Sequence, residues 1–382
     1  MGAVREPERF DTLIIGGGQA GLAVGYHLMN QGRRFVILDA AERIGDSWRT
    51  RWDSLRLFTP ARLDGLPGWP FPASAWSFPT KDDMADYVEH YATRFSLPVH
   101  GSTKVDRLYW EAGRLVATSG DLQFEADNVV VATGGFQSPR LPAFAAELHP
   151  DVVRMHSSQY RRPAQLQPGD VLVVGAANSG ADIALELSRT RQTWLSGRHP
   201  GSEPVRPGSV WDRIVTPPFW FAASRVLTVH TRAGRRVRST LQSGGHPLAR
   251  VKPADLDAAG VNRLPRTVAV HDGIPAFEDG RSMDVPNVIW CTGFQPDFSW
   301  IDLPVFDDDG LPVHDRGVVA AQPGLYFVGL PFLYSLTSSL VGGVGRDAKH
   351  IAEHIAARSP LESTQTVASA ESTSPTPLPR RQ

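Results

Sequence analysis

The chain has 382 residues, 41% of them hydrophobic, with a formal net charge of −1. That length suits two or three domains with a substantial core, and the charge balance provides no global field drawing the molecule to nucleic acid or an anionic surface. No apolar run approaches the ~20 residues of a membrane span, and the N-terminus MGAVREPERFD lacks the apolar core of a signal peptide, so a cytoplasmic protein is expected. One cysteine, Cys291, excludes an internal disulfide, a redox-active cysteine pair and a thiolate zinc cluster. It reads as a small buried residue at a strand end.

Residues 1–10 form a polar arm, expected to be flexible. DTLII then reads as a short strand, GLAVGYHLMNQG as a helix and FVILD as the next strand. Gly45 to Pro79, rich in Trp, Pro and Arg, is expected to be a long ordered loop, and MADYVEHYATRF a helix. The stretch from Arg107 to Gly134 alternates like a β-meander and ends in a buried strand, VVVATG. PGDVLVVGAANSGADIALELS restarts the strand–turn–helix pattern, with TWLSGR as its second strand. Residues 200–265 read as an irregular insertion with one apolar segment, FWFAASRVL. A second meander closes on VIWCTG, followed by a strand, PGLYFVG, and a helix, SSLVGGVGRDAKHIAEHIAAR. The Ser/Thr/Pro-rich tail, 358–382, is expected to be disordered.

The halves are therefore duplicated, each ending in a strand followed by [AC]TG. The fold class expected is α/β with two nested Rossmann-like dinucleotide-binding domains, the first (11–160 and 287–357) interrupted by the second (161–286). His350, Glu353 and His354 spell a zinc-hydrolase spacing, but no third ligand is apparent and no metal is expected.

Gly16, Gly18 and Gly21 fit G-x-G-x-x-G between a strand and a helix. The first glycine allows the tight turn, the second lets the backbone approach a pyrophosphate and the third lets helix pack on strand. Asp39 ends the next strand 18 residues past Gly21, where an acid accepts hydrogen bonds from an adenosine ribose. The second turn runs Gly175, Ala177, Gly180, with alanine at the middle position, and Arg198 stands 18 residues past Gly180. A carboxylate repels a 2′-phosphate, whereas a guanidinium binds one. Equal offsets with opposite charges point to NADPH at the second turn and a dinucleotide without that phosphate at the first. Arg198 as a solvated strand-end residue is the alternative. A flavin plus a nicotinamide is the economical pair, and Ala177 suggests that the second binds more loosely.

Taken together, GGGQAGL, GDSWRTRWDSLRL, VVVATGGF, MHSSQY, GAANSGAD, VIWCTGF and GLYFVGLPFLYSLTSSLVGGVGRDA resemble the class B flavoprotein monooxygenases, over about residues 10–357. The resemblance implies FAD contacts at Gly16, Gly18, Gly21, Asp39, Trp48, Arg49, Thr133 and Gly134. It implies NADPH contacts at Gly175, Ala177, Asn178, Ser179, Gly180, Ser196 and Arg198. Of the family fingerprint F-x-G-x-x-x-H-x-x-x-Y, His156 and Tyr160 are kept while Pro150 and Val152 replace the Phe and Gly. Tyr160, rather than Trp, favours the heteroatom-oxidising branch over the Baeyer–Villiger one, and His156 serves either the fingerprint function or a domain-linking hydrogen bond.

The implied activity is NADPH- and O2-dependent oxygenation of a soft nucleophile, nitrogen or sulfur, in a small organic molecule through a flavin C4a-hydroperoxide. Asn178 and Thr59 are the candidate catalytic hydrogen-bond donors. Trp211, Phe219, Trp220 and Phe221 form either a substrate wall or ordinary packing. The alternatives are a Baeyer–Villiger enzyme, an oxidase, or a reductase feeding an acidic protein docked on the basic run 225–238. A homodimer is left open.

Overall fold

In the computed structural model the residues described are 6–244 and 247–358, without the side chains of 241–244. The expected disordered tail, apart from Arg358, lies outside them. The chain forms β1 Glu8–Ile15, α1 Gln19–Asn30, β2 Phe35–Leu38, α2 Asp46–Arg49, α3 Lys81–Arg94, β3 Val99–His100, β4 Arg107–Glu111, β5 Arg114–Ser119, β6 Leu122–Val131 and β7 Ser138–Pro139. There follow β8 Val153–His156, β9 Val171–Val174, α4 Asn178–Leu187, β10 Thr193–Ser196, α5 Val210–Arg225, α6 Arg232–Gly244, α7 Pro253–Ala258 and β11 Asn262–Leu264. The last are β12 Thr267–His271, β13 Ile274–Phe277, β14 Asn287–Trp290, β15 Phe294–Gln295, β16 Leu325–Phe327 and α8 Val341–Arg358.

Two parallel-rich sheets result. The larger has seven strands in the order β3-β2-β1-β6-β5-β4, with β16 also paired to β6; the smaller runs β11-β10-β9-β14-β8. The apolar runs that read as strands are continuous because each sheet is covered on both faces. In β1 and β2, Ile14, Phe35 and Ile37 pack under α1, α3 and α8. Leu13, Ile15, Val36 and Leu38 face the opposite way, onto Phe298, Ile301 and Val305. In the smaller sheet Val171, Val173 and Ile289 pack beneath α4 and α7, while Leu172, Val174 and Trp290 meet the β12–β13 hairpin. Each such buried aliphatic stabilises the fold by roughly 1.5–3 kcal/mol.

Three expectations are corrected. Residues 8–10 of the supposed arm already belong to β1, paired with Phe124–Ala126 of β6. The insertion is largely helical, since α5, α6 and α7 fill much of it; Pro217 and Pro218 lie inside α5 and hid it from a helix reading. By strand pairing, the unit boundary expected at 160 falls after the first crossing and the one expected at 287 falls before the second. β8 and β14 belong to the smaller sheet, with Trp290 aligned on both His156 and Val174. The chain crosses instead at a two-stranded ribbon, β7 with β15, which begins just after each [AC]TG.

Candidate cofactor sites

The two glycine turns have the same backbone geometry. Gly16 and Gly175 adopt φ +109° and +110°, values that favour glycine. A Cβ at Gly16 would lie 2.7 Å from Ala132 O, and one at Gly175 would lie 2.3 Å from Cys291 O. Gly21 and Gly180 press on the first glycine of their turn, so that a Cβ would stand 1.9 and 1.7 Å from its carbonyl oxygen. Cys291 therefore occupies in the second unit the place Ala132 holds in the first. It is buried, and burial pushes its thiol up, so it supplies no thiolate.

The middle position differs. Gly18 and Ala177 are both helix N-caps in extended conformation, φ −75° and −83°, so neither backbone angle nor packing within the protein requires glycine there. A Cβ at Gly18 would meet nothing within 4 Å, and the Ala177 methyl is exposed. Neither helix has a side-chain cap, so each directs unpaired N–H groups and a partial positive charge at the space over its turn. An open cradle with unpaired donors fits a pyrophosphate. Beside the first turn, the Thr133 hydroxyl is buried with no partner among the described residues, and Gly134 opens onto free space.

Asp39 accepts hydrogen bonds from Gly17 N and Ala41 N. A Cβ at Gly17 would come within 2.9 Å of Asp39 Oδ2 and 2.5 Å of Ile44 Cδ1. Gly17 is thus closely packed beneath the Asp39 carboxylate, a contact the spacing argument missed, although the triplet GGG displays the residue. The strand register then corrects the equal-offset argument. Gly16 N donates to Leu38 O and Gly175 N to Ser196 O, both at 2.8 Å, which makes Ser196 the counterpart of Leu38 and Gly197 that of Asp39. The connection from the last turn glycine to the second strand is one residue shorter in the second unit. Gly197, at φ +140°, carries no side chain where the first site has its carboxylate; a Cβ there would lie 3.0 Å from Ala176 N and 3.3 Å from the Ala176 methyl, and Arg198 follows it. Arg198 is 75% exposed and pairs with Glu278 at 2.8 Å.

Several expected contacts are engaged within the protein. Arg49 bonds Ile44 O and three carboxylates, Asp46, Asp86 and Glu89, tying α2 to α3. Ser196 is buried and its hydroxyl is taken by Pro265 O and Thr267. Asn178 donates to Pro247 O and accepts from Ala249 N, and Thr59 donates to Asp64 at 2.5 Å. Each of these four side chains thus already has partners within the protein. Trp48 packs half-buried against the core beneath α1, and Ser179 is half-buried in the first turn of α4.

Both residues of the fingerprint pair are hydrogen-bonded within the protein. His156 Nδ1 accepts from Ser158 N at 3.1 Å, so the tautomer assigned by this network carries its proton on Nε2, which donates to Gly293 O at 3.0 Å. Burial lowers its pKa and favours that neutral form. Its ring also meets Phe294 edge-on at 4.9 Å. Tyr160 donates to Glu186 on α4 at 2.7 Å. Two open depressions of about 310 and 470 Å³ meet at Trp220 and Gly342. Trp220 and Phe221 line the first together with Arg225, Thr337 and Arg346, whereas Trp211 and Phe219 stay 68% and 51% exposed. The proposed aromatic wall is thus split between two faces of one helix.

Two parallel-rich sheets, each with a glycine turn opening a helix, define a nucleotide-binding oxidoreductase. The family model for pyridine nucleotide-disulphide oxidoreductases matches residues 13–204. A Geobacillus kaustophilus protein named as an uncharacterized oxidoreductase CzcO-like is 42% identical over 90% of this chain and 98% of its own length. Bacillus subtilis CzcO is 34% identical over 91% and 99%. The flavin-containing monooxygenase of Stenotrophomonas maltophilia superposes with a TM-score of 0.72 at 28% identity, covering 92% of this chain and 99% of that one. The chain belongs to the pyridine nucleotide-disulphide oxidoreductase family and, within it, to the class B flavoprotein monooxygenases. It is a flavin-dependent oxidoreductase, and its single cysteine leaves no dithiol chemistry of the kind the family name describes.

Proposed function

We propose that the chain is an NADPH- and O2-dependent monooxygenase that adds one oxygen atom to a nitrogen or sulfur nucleophile of a small organic molecule, the other oxygen leaving as water. The Gly16–Gly21 turn with Asp39, Thr133 and Gly134 would hold FAD, and the Gly175–Gly180 turn with Arg198 would hold NADPH. The FAD unit is built on the larger sheet and the NADPH unit on the smaller one, joined by the β7–β15 ribbon. The observation that carries this reading is the contrast after the second strand of each unit. Asp39 stands at the first, while the second has no carboxylate, only Gly197 followed by the exposed guanidinium of Arg198, a charge suited to a 2′-phosphate. Arg198 must leave Glu278 to bind that phosphate, an exchange made easier by the exposure of the pair.

The bound flavin supplies the hydride and oxygen chemistry. The chain binds and orients it: the N–H groups at the start of α1 hold its pyrophosphate and the Thr133 hydroxyl gains the partner it lacks. At the start of α4 the exposed Ala177 methyl would stand against the nicotinamide dinucleotide, which suits a cofactor that exchanges. Trp220 and Phe221 furnish apolar surface that excludes water.

The test is oxygen accounting with the purified holoprotein, NADPH, 18O2 and a simple thioether. Sulfoxide carrying one 18O per NADPH oxidised is the expected result. NADPH consumption matched by hydrogen peroxide, with no 18O in the thioether or in a tertiary amine, overturns it in favour of an oxidase.

A further inference from the structure

Helix α5 buries only Asp212 and Ala223. Trp211, Ile214, Val215 and Phe219 recur at i, i+3, i+4 and i+8 and so share one face, and all four are exposed, Trp211 at 68%. Phe221 and, just past the helix, Val226 are exposed as well. Among the described residues, half of the large apolar side chains left in solvent lie on this one stretch, a concentration that marks an interaction surface. The charge pattern is equally one-sided. From Arg213 to Gly244 the chain has six arginines and no aspartate or glutamate, and none of the six forms an ion pair among the described residues. All are exposed, four of them on α6.

The hairpin is held from the inside. Val229 N bonds Tyr334 O, Leu336 N bonds Leu227 O, and the Arg346 guanidinium bonds Ser224 O. Gly234 packs so closely on Thr228 that a Cβ would lie 2.0 Å from its oxygen. These bonds fix the junction of α5 and α6 and leave the apolar face of α5 without a partner among the described residues.

We infer that the α5–α6 hairpin docks the protein on an anionic lipid bilayer, with the aromatic face of α5 at headgroup depth and the arginines over lipid phosphates. Charge complementarity selects this occupant. A second copy meeting the first across a two-fold axis sets arginines against arginines, and a nucleic acid gives Trp211 and Phe219 no apolar medium. A bilayer interface accommodates both features, because Trp and Phe sit at the acyl boundary and anionic headgroups attract the basic segment. The contact is peripheral, since among the described residues no helix is long and apolar enough to cross a membrane. The inference stands independently of the proposed reaction.

The experiment is vesicle co-sedimentation of the full-length holoprotein. Vesicles are pure phosphatidylcholine or three parts phosphatidylcholine to one part phosphatidylserine. Binding to the mixed vesicles alone, weakening with salt, is expected. The Trp211→Ser/Phe219→Ser pair and the Arg235→Glu/Arg236→Glu pair should each lose binding more than tenfold, an arginine near the surface being worth roughly fivefold. Because these side chains are exposed, both variants should keep the bound-flavin absorbance and melting temperature of the parent. The inference is overturned if the mixed vesicles fail to bind, or if the aromatic pair is replaced without effect. It is equally overturned if that replacement converts a lipid-free dimer to a monomer, which assigns the face to a second copy. Capture by an acidic polypeptide without vesicle binding would assign it to a protein partner and also overturn the inference.

Discussion

Asp64 is buried to 1% exposure; one carboxylate oxygen accepts from Thr59 and the other has no partner among the described residues. Burial pushes its carboxyl up to about 7, and the Thr59 hydrogen bond only partly opposes that. The sign of the linkage follows. Between the ordinary carboxylate value near 4 and 7, the unfolded chain has released the proton while the folded one still holds it, so stability falls as pH rises through that window and is level above it. Asp64→Asn removes this ionisation and keeps a neutral hydrogen-bonding group. The variant should therefore gain stability relative to the parent between pH 5 and 8, reaching on the order of 3 kcal/mol, as measured by urea unfolding at a series of pH values. An unchanged difference across that range would place the proton elsewhere. No spacing rule pointed to Asp64, because its burial comes from packing around the 59–71 loop.

At the scale of the strand–turn–helix element, the outer two glycines of each turn serve the backbone, while the middle position is open toward the proposed ligand. The first site uses Gly17 as well, because Asp39 folds back onto its N–H. In the proposed NADPH site Gly197 takes the acid's place. A carboxylate introduced by Gly197→Asp should repel the 2′-phosphate and weaken NADPH at least tenfold, with NADH changed far less. Arg198→Ala should weaken NADPH alone, by about 1.5–3 kcal/mol for a lost charged hydrogen bond. Both are read from binding titrations of the two nucleotides, and equal effects on both would refute a 2′-phosphate at this turn. Gly197→Asp also carries backbone strain at φ +140°, so the comparison rests on the NADPH-to-NADH ratio. The glycine spacing was legible in the sequence because it is local. The pairing of Asp39 with Gly197 was not, since one residue fewer between turn and strand shifts the register without changing the motif.

For the whole molecule, the decisive contacts join the two sheets. β7 and β15 pair directly after the two [AC]TG strand ends, Arg140 N donates to Gly293 O, and His156 reaches from β8 to the same carbonyl. His156 is held neutral by burial, so its folded pKa lies below the unfolded value. Its contribution is present above pH 6.5 and is lost as pH falls, when the unfolded chain takes up a proton that the folded one refuses. His156→Gln should lower stability at pH 7.5 by about 0.5–1.5 kcal/mol, the net worth of one hydrogen bond, and the deficit should narrow toward pH 5. A deficit independent of pH would show that His156 acts by packing alone.

The sequence by itself determined what short-range stereochemistry controls: the two glycine turns, the apolar strands on either side of them, the duplication, and the absence of thiol chemistry in a chain with one cysteine. Tertiary structure decided which polar groups remain available. Arg49, Ser196, Asn178 and Thr59 each look free in the sequence, yet each meets a partner five to seventy-one residues away. It also decided that β8 and β14 belong to the second sheet and that the apolar residues of α5 face outward. Strand partners and the burial of a helix face depend on contacts between distant segments, which residue type and spacing do not encode.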